Sequence, residues 1–168
     1  MSYDGDGFED LDDLDIEGIA REELFKHAND FKNQWQDNLL EGVGFLGNRP
    51  EGPYKNTGEA INDITLDPQS DGATSYKIGG DVVQLAVAEF GRVPSPGSPP
   101  PFDAIADWAR EKQLTPEEGQ TFDEMVDAIR FNIADRGLPA FAPGRAAFFE
   151  LEGEYERRVS ERVERELG

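Results

Sequence analysis

The sequence predicts an α+β fold: a small antiparallel β-sheet of three or four strands covered by helices, with long N- and C-terminal helices and extended loops. Three observations point there. Apolar residues recur at three- and four-residue steps near both ends of the chain. Two Gly-containing hairpin signals separate short β-branched segments in the middle. A capping box opens a further helix in the second half.

Residues 1–14 read as an acidic tail with too little apolar content to pack, and 15–168 as a single α+β domain. Ile16, Ala20, Leu24, Ala28, Phe31, Trp35 and Leu39 mark the stripe of a helix over about 17–41, with Asp15 available as N-cap. Gly42 to Gly58 is a Gly- and Pro-rich loop, longer than the usual ~4–6 residues, which points to a contact role. Phe45, Leu46 and Tyr54 are its candidate interface residues.

Ile61–Leu66, Thr74–Ile78 and Val82–Phe90 read as strands of a meander, turning at Asp71-Gly72 and Gly79-Gly80. The third segment is apolar on both faces and is expected to be the most buried strand. Arg92 to Pro101 then holds Pro94, Pro96, Pro99, Pro100 and Pro101, an extended and stiff arm that is the second candidate interface.

A short helix is expected over about 103–112, using Ile105, Trp108 and Ala109. Thr115-Pro116-Glu117-Glu118 is a capping box with Pro at the first helical position. It predicts a helix over 116–136 with Phe122, Val126, Ile129 and Ile133 inward, stopped by Gly137 and then Pro139. The last helix starts near Arg145, and Leu151, Tyr155, Val159, Val163 and Leu167 repeat every four residues. Such a stripe drifts around the helix, so part of it is expected to be wet or shared with a neighbour.

Charge narrows the function. Among 168 residues, 36 acids face 16 bases, a formal −20, and Met1 to Glu17 alone holds eight acids and no base. Sequence-independent duplex binding rests on Lys and Arg neutralising phosphates, so it is not expected. The body stays acidic without the tail, and Arg outnumbers Lys eleven to five. Acid excess with scarce Lys reads as adaptation to a salt-rich cytoplasm, where screening suppresses self-repulsion; a solvated acidic surface in an ordinary host is the other reading. With no cysteine, disulfide scaffolds and thiolate zinc sites are excluded. No apolar run is long enough to span a bilayer, and the acidic start is the opposite of a signal peptide.

Motifs for catalysis are missing. Asp13, Asp15, Glu17 and Gly18 imitate the first half of a calcium loop, but Leu24 stands where a bidentate carboxylate is required. His27 is the single histidine and reads as a polar helix-surface residue, with no second His to complete a metal site. No phosphate loop and no Gly-x-Ser-x-Gly elbow occurs, and carboxylate pairs carry little information in so acidic a chain. No catalytic residue, cofactor or metal is expected, and an interaction protein is.

Four short motifs, in order, resemble a family of neck proteins of long-tailed viruses of bacteria and archaea. These are also called tail-completion, head–tail joining or tail-component proteins. Asn56-Thr57-Gly58-Glu59 is similar to the Thr-Gly that precedes the family's first strand. Ala88-Glu89-Phe90-Gly91 is similar to its Glu-Phe-Gly-Thr, with Arg92 in place of the Thr. Trp108 to Lys112 is similar to its Trp-x-x-x-Lys helix. Ile133 to Phe141, with Gly137 and Pro139, resembles its closing Ile-x-x-x-Gly segment, the final Pro and aromatics displaced to Pro143 and Phe148-Phe149.

The resemblance implies a structural virion protein, without enzymatic activity, that forms a ring, hexameric in the family, between the capsid portal and the tail tube. Its partners would be itself and the adjacent neck, adaptor and tail-tube or terminator proteins. It would assemble in the host cytoplasm, and viral DNA would pass its channel without sequence-specific binding. With the acidic composition, the virus would infect a salt-loving archaeon. Within this frame Thr57 and Gly58 are expected to set the turn into the sheet, Glu89 to satisfy backbone or Arg donors, and Trp108 to pack on the sheet. An acidic binder that mimics nucleic acid to sequester a basic partner, a neighbouring neck component, and an unrecognised hydrolase remain as alternatives.

Overall fold

The computed structural model describes residues 14–47 and 58–168. The tail over 1–13, Tyr54 and Thr57 lie outside the described residues.

Helix α1 runs Ile16–Glu41, and the Asp15 carboxylate accepts the Gly18 N–H at 2.8 Å, the N-cap role expected of it. Its packed side carries Ile19, Glu23, Ala28, Asn38 and Leu39, while Ile16 is exposed. Four-residue steps drift on a 3.6-residue helix, so the line begun at Ile16 rotates away from the line that packs.

The expected sheet of three or four strands is a two-stranded ribbon among the described residues. Strand β1 (Thr65–Pro68) pairs antiparallel with β2 (Tyr76–Gly79), Thr65 opposite Gly79 and Pro68 opposite Tyr76. Asp71-Gly72 does turn the chain, but Gly79 lies in the ladder rather than in a second turn. Gly58 opens helix α2 (Gly58–Asp63) instead of a turn into the sheet, and the segment read as a strand from Ile61 is divided between α2 and β1.

The largest correction falls on Val82–Phe90. Val83–Phe90 is a helix, α3. Helical spacing turns Leu85 and Ala88 into the core and leaves Val83 and Phe90 exposed. The Asp63 carboxylate starts α3 by accepting the N–H groups of Asp81 (2.5 Å) and Val82 (2.9 Å). Gly91 ends it, its N–H returning to the Val87 carbonyl at 2.8 Å.

Helices α4 (Phe102–Glu111) and α5 (Phe122–Arg136) form a hairpin. The working capping box is Thr121 with Glu124, six residues later than the one read at Thr115. Residues 115–120 offer no apolar face to bury, so the helix starts where the stripe starts, at Phe122. The last helix is two helices, α6 (Pro143–Glu150) and α7 (Glu154–Leu167), separated by a turn at 151–153.

The core is correspondingly in two clusters. Leu39, Ala60, Ile64, Leu85, Ala88 and Phe141 unite α1, α2, α3 and the segment before α6, with Trp35 and Ile78 against them. Ala106, Ala109, Met125 and Val126 unite α4 with α5, and Trp108 packs there rather than on the sheet. Of the three helices expected to cover the sheet, α1 is the one that does so. Among the described residues, no helix is long and apolar enough to cross a membrane.

Helix α7 is held differently. It buries no residue and lies along α1 through Arg158–Asp30 at 2.6 Å and Arg162–Glu22 at 2.5 Å, with Glu23 3.2 Å from Arg162.

Candidate functional site

Two of the resembling motifs, distant in sequence, close on each other in space. The end of α3 meets the segment Gly137 to Gly144. Arg92 and Leu138 exchange both backbone hydrogen bonds, each 2.8 Å, as an isolated antiparallel bridge. One turn back, the Ala88 carbonyl accepts the N–H groups of Phe141 (3.1 Å) and Ala142 (3.0 Å). Phe141 is thereby set into the main core.

Glu89 completes this clasp. Pro143 begins α6 and has no N–H, so Gly144 and Arg145 supply the first free amide protons. Both go to the Glu89 carboxylate, Gly144 at 2.9 Å and Arg145 at 3.1 Å. A carboxylate at a helix N-terminus gains from the amide hydrogen bonds and from the helix dipole. The expectation that Glu89 satisfies backbone donors holds, although it sits on a helix and not at the end of a strand.

The glycines of the two motifs are required by closeness. Gly91 has φ +72°, and a Cβ there would stand 2.6 Å from the Leu138 carbonyl oxygen. Gly137 has φ +74°, and a Cβ there would run into the Arg92 carbonyl oxygen. Positive φ and backbone contact together leave no room for a side chain at either position.

The two candidate arms adhere to the same region. Phe45 and Leu46 donate their N–H groups to the carbonyls of Ala142 and Phe141, both at 3.2 Å. The Phe45 ring stacks on Phe149 at 4.8 Å, with the Arg145 guanidinium 5.8 Å from its centre. The Pro-rich stretch does not project as a free arm. Ser95 donates to the Ala134 carbonyl (2.7 Å), Arg130 to that of Pro100 (2.7 Å), and Pro100 is buried. Pro94 lies against Gly137; Pro96 and Pro101 are exposed and Pro99 is half-buried.

Glu89, Phe90, Gly91, Gly137, Pro139, Phe45, Leu46 and Pro94 thus belong to one region. Trp108 and Lys112 do not: they lie at the end of α4, where the Lys112 N–H caps on the Trp108 carbonyl at 3.0 Å. Sequence reasoning missed Asp63, which starts α3, and Asn38, a buried side chain that donates to the Pro143 carbonyl at 3.2 Å. A polar residue interrupting the apolar line just before Leu39 was the available signal for Asn38.

Charge is organised elsewhere, on α1 and α7. Glu23 is buried, and its carboxyl is held below its ordinary range, first by the hydrogen bond from Lys26 at 2.7 Å and then by Arg162, against the opposing effect of burial. His27 is half-buried rather than a surface residue, its ring 6.0 Å from that of Tyr155. It borders an open cavity of about 320 Å³ whose other described lining residues are Leu24, Ala28, Phe31, Tyr76, Ile78 and Phe148. Among the described residues, no group of three His, Asp or Glu stands where it could hold a metal ion. What the region around Glu89 can do chemically is join segments and present apolar side chains outward. Comparison with family models, with curated proteins and with solved structures finds no match.

Proposed function

We propose that this chain is a structural virion protein that forms a ring in the neck of a long-tailed virus, joining the portal complex to the tail tube and leaving a channel for DNA. The observation that carries the reading is the clasp. Glu89-Phe90-Gly91 and Gly137 to Phe141, two of the four segments on which the resemblance rests, form one interlocked unit through paired backbone bonds and a shared helix cap. Paired backbone bonds and a shared helix cap keep a surface rigid, and a rigid surface loses less freedom when subunits associate.

The charge suits the role. A ring that DNA must cross works better when its lumen does not bind phosphates, and a chain of −20 with only five Lys offers few cations to hold them, in low or high salt. The acid excess with scarce Lys supports, within this reading, a salt-rich host such as a salt-loving archaeon.

The test is removal of the whole chain from the virus. Deleting the Pro-rich stretch alone would also disturb α5, which it is bonded to. Electron microscopy is expected to show filled heads and separate tails without the protein, and purified normal particles to contain it. Joined particles from the deletion, with no copy of the chain in purified virions, would refute the neck reading.

A further inference from the structure

We propose that the outer face of α3, with its arginine rim, docks head to tail on the acidic α4–α5 turn of a second copy of this chain. The proposal rests on the ring reading and names the contact within it.

Helix α3 is apolar nearly all round, a composition suited to a helix covered on every side. Its own core covers Leu85 and Ala88 alone. Val83, Ala86 and Phe90, at steps of three and four, make an uncovered stripe, with Val83 72% and Phe90 75% exposed. Val93, just past the Gly91 bend, is 78% exposed. Apolar side chains concentrated in this way mark a contact surface. Asp63 holds the start of α3, and Glu89 near its end ties it to the N-terminus of α6, so the stripe is presented on a fixed element.

Charge selects the occupant. Arg92, Arg136 and Arg145 lie on the segments that form the clasp, Arg92 donating to the Ser98 carbonyl at 2.6 Å and Arg145 standing 5.8 Å from the Phe45 ring centre, and among the described residues none of them is seen in an ion pair. On α1 and α7, by contrast, Arg21, Arg157, Arg158 and Arg162 are each held by carboxylates, and Arg165 at the end of α7 is the exception. Three uncompensated arginines in a chain of −20 call for acids from outside, and a second copy carries them in excess. Its α4–α5 turn exposes Glu111, Glu117, Glu118 and Asp123. A standard interface takes about 800 Å² from each partner, more than these four apolar side chains supply, so a polar rim is needed around them. Because the two surfaces differ, the contact is heterologous, the kind that generates a ring when its rotation closes.

The test uses the full chain in about 1 M KCl, where repulsion between two acidic copies is screened to within ~3 Å. Sedimentation is expected to show self-association, weakened roughly tenfold or more by Phe90→Asp and by the double change Arg136→Glu with Arg145→Glu. Unchanged melting of each variant's monomer confirms that it folds. A benzophenone amino acid at position 90 is expected to crosslink to residues 111–123 of another copy. No self-association at any concentration, or crosslinks that map elsewhere, would overturn the proposal. The two readings fail separately: virions that contain the chain without this crosslink retain the neck role, whereas self-association of a chain absent from virions retains the contact.

Discussion

The Glu89 carboxylate takes the first two amide protons that α6 has to give, so its loss leaves both without a partner at the junction of α3 and α6. Glu89→Ala is expected to lower unfolding free energy by about 1–2 kcal/mol, the scale of a lost helix cap. Glu89→Gln keeps one oxygen and should lose less; chemical denaturation measures both. Gly137→Ala is expected to cost more than about 1 kcal/mol, because it adds a Cβ at positive φ against the Arg92 backbone. A third residue sets an acid limit. The Glu23 carboxyl is depressed in the folded chain by Lys26 and then Arg162, so its contribution is complete above the ordinary carboxylate value of 4.5 and is lost as pH falls through the lower folded value. Glu23→Gln should flatten that part of the stability–pH curve, and an unchanged slope would assign acid unfolding to other carboxylates.

At the scale of elements, α7 stands apart because ion pairs and a half-buried stripe, and no fully buried residue, hold it to α1. Exposed pairs contribute about 0.2–1 kcal/mol each, well below the several kcal/mol that buried side chains supply. Hydrogen exchange should therefore find α7 amides opening before those of α1 or α3; equal protection would show that α7 unfolds only with the whole. The four-residue repeat of Tyr155, Val159 and Val163 already signalled a partly wet helix. Helix α1 was legible with its Asp15 cap, and the existence of α4 and α5 was legible from their periodic stripes, but the true cap at Thr121 and the pairing of α4 with α5 instead of with the sheet were not. Helix α3 was not. Six of its eight residues are apolar and spread nearly all round it, and a short run of that kind satisfies strand and helix periods alike. What decided it is tertiary: Asp63 at one end and Leu138 to Gly144 at the other. The same distance in sequence hid the clasp. Glu89 was legible as a structural acid, but its partners 55 and 56 residues on were not.

For the whole molecule, salt acts in two opposite directions, and their ranges decide which wins. Screening weakens the arginine–carboxylate pairs of α1 and α7, but those groups touch at 2.5–3.2 Å, at or inside the ~3 Å screening length of 1 M salt. Repulsion among the twenty uncompensated acids acts over longer separations, which lie within the ~10 Å screening length of 0.1 M salt and beyond that of 1 M. Raising KCl from low to molar concentration therefore removes most of the repulsion while sparing much of the contact pairing. The melting midpoint is expected to climb steeply over that range, and the relative protection of α7 to change little. A flat or falling midpoint accompanied by faster exchange in α7 would mean that the contact pairs outweigh the net charge, and the case for a salt-rich host would go with it.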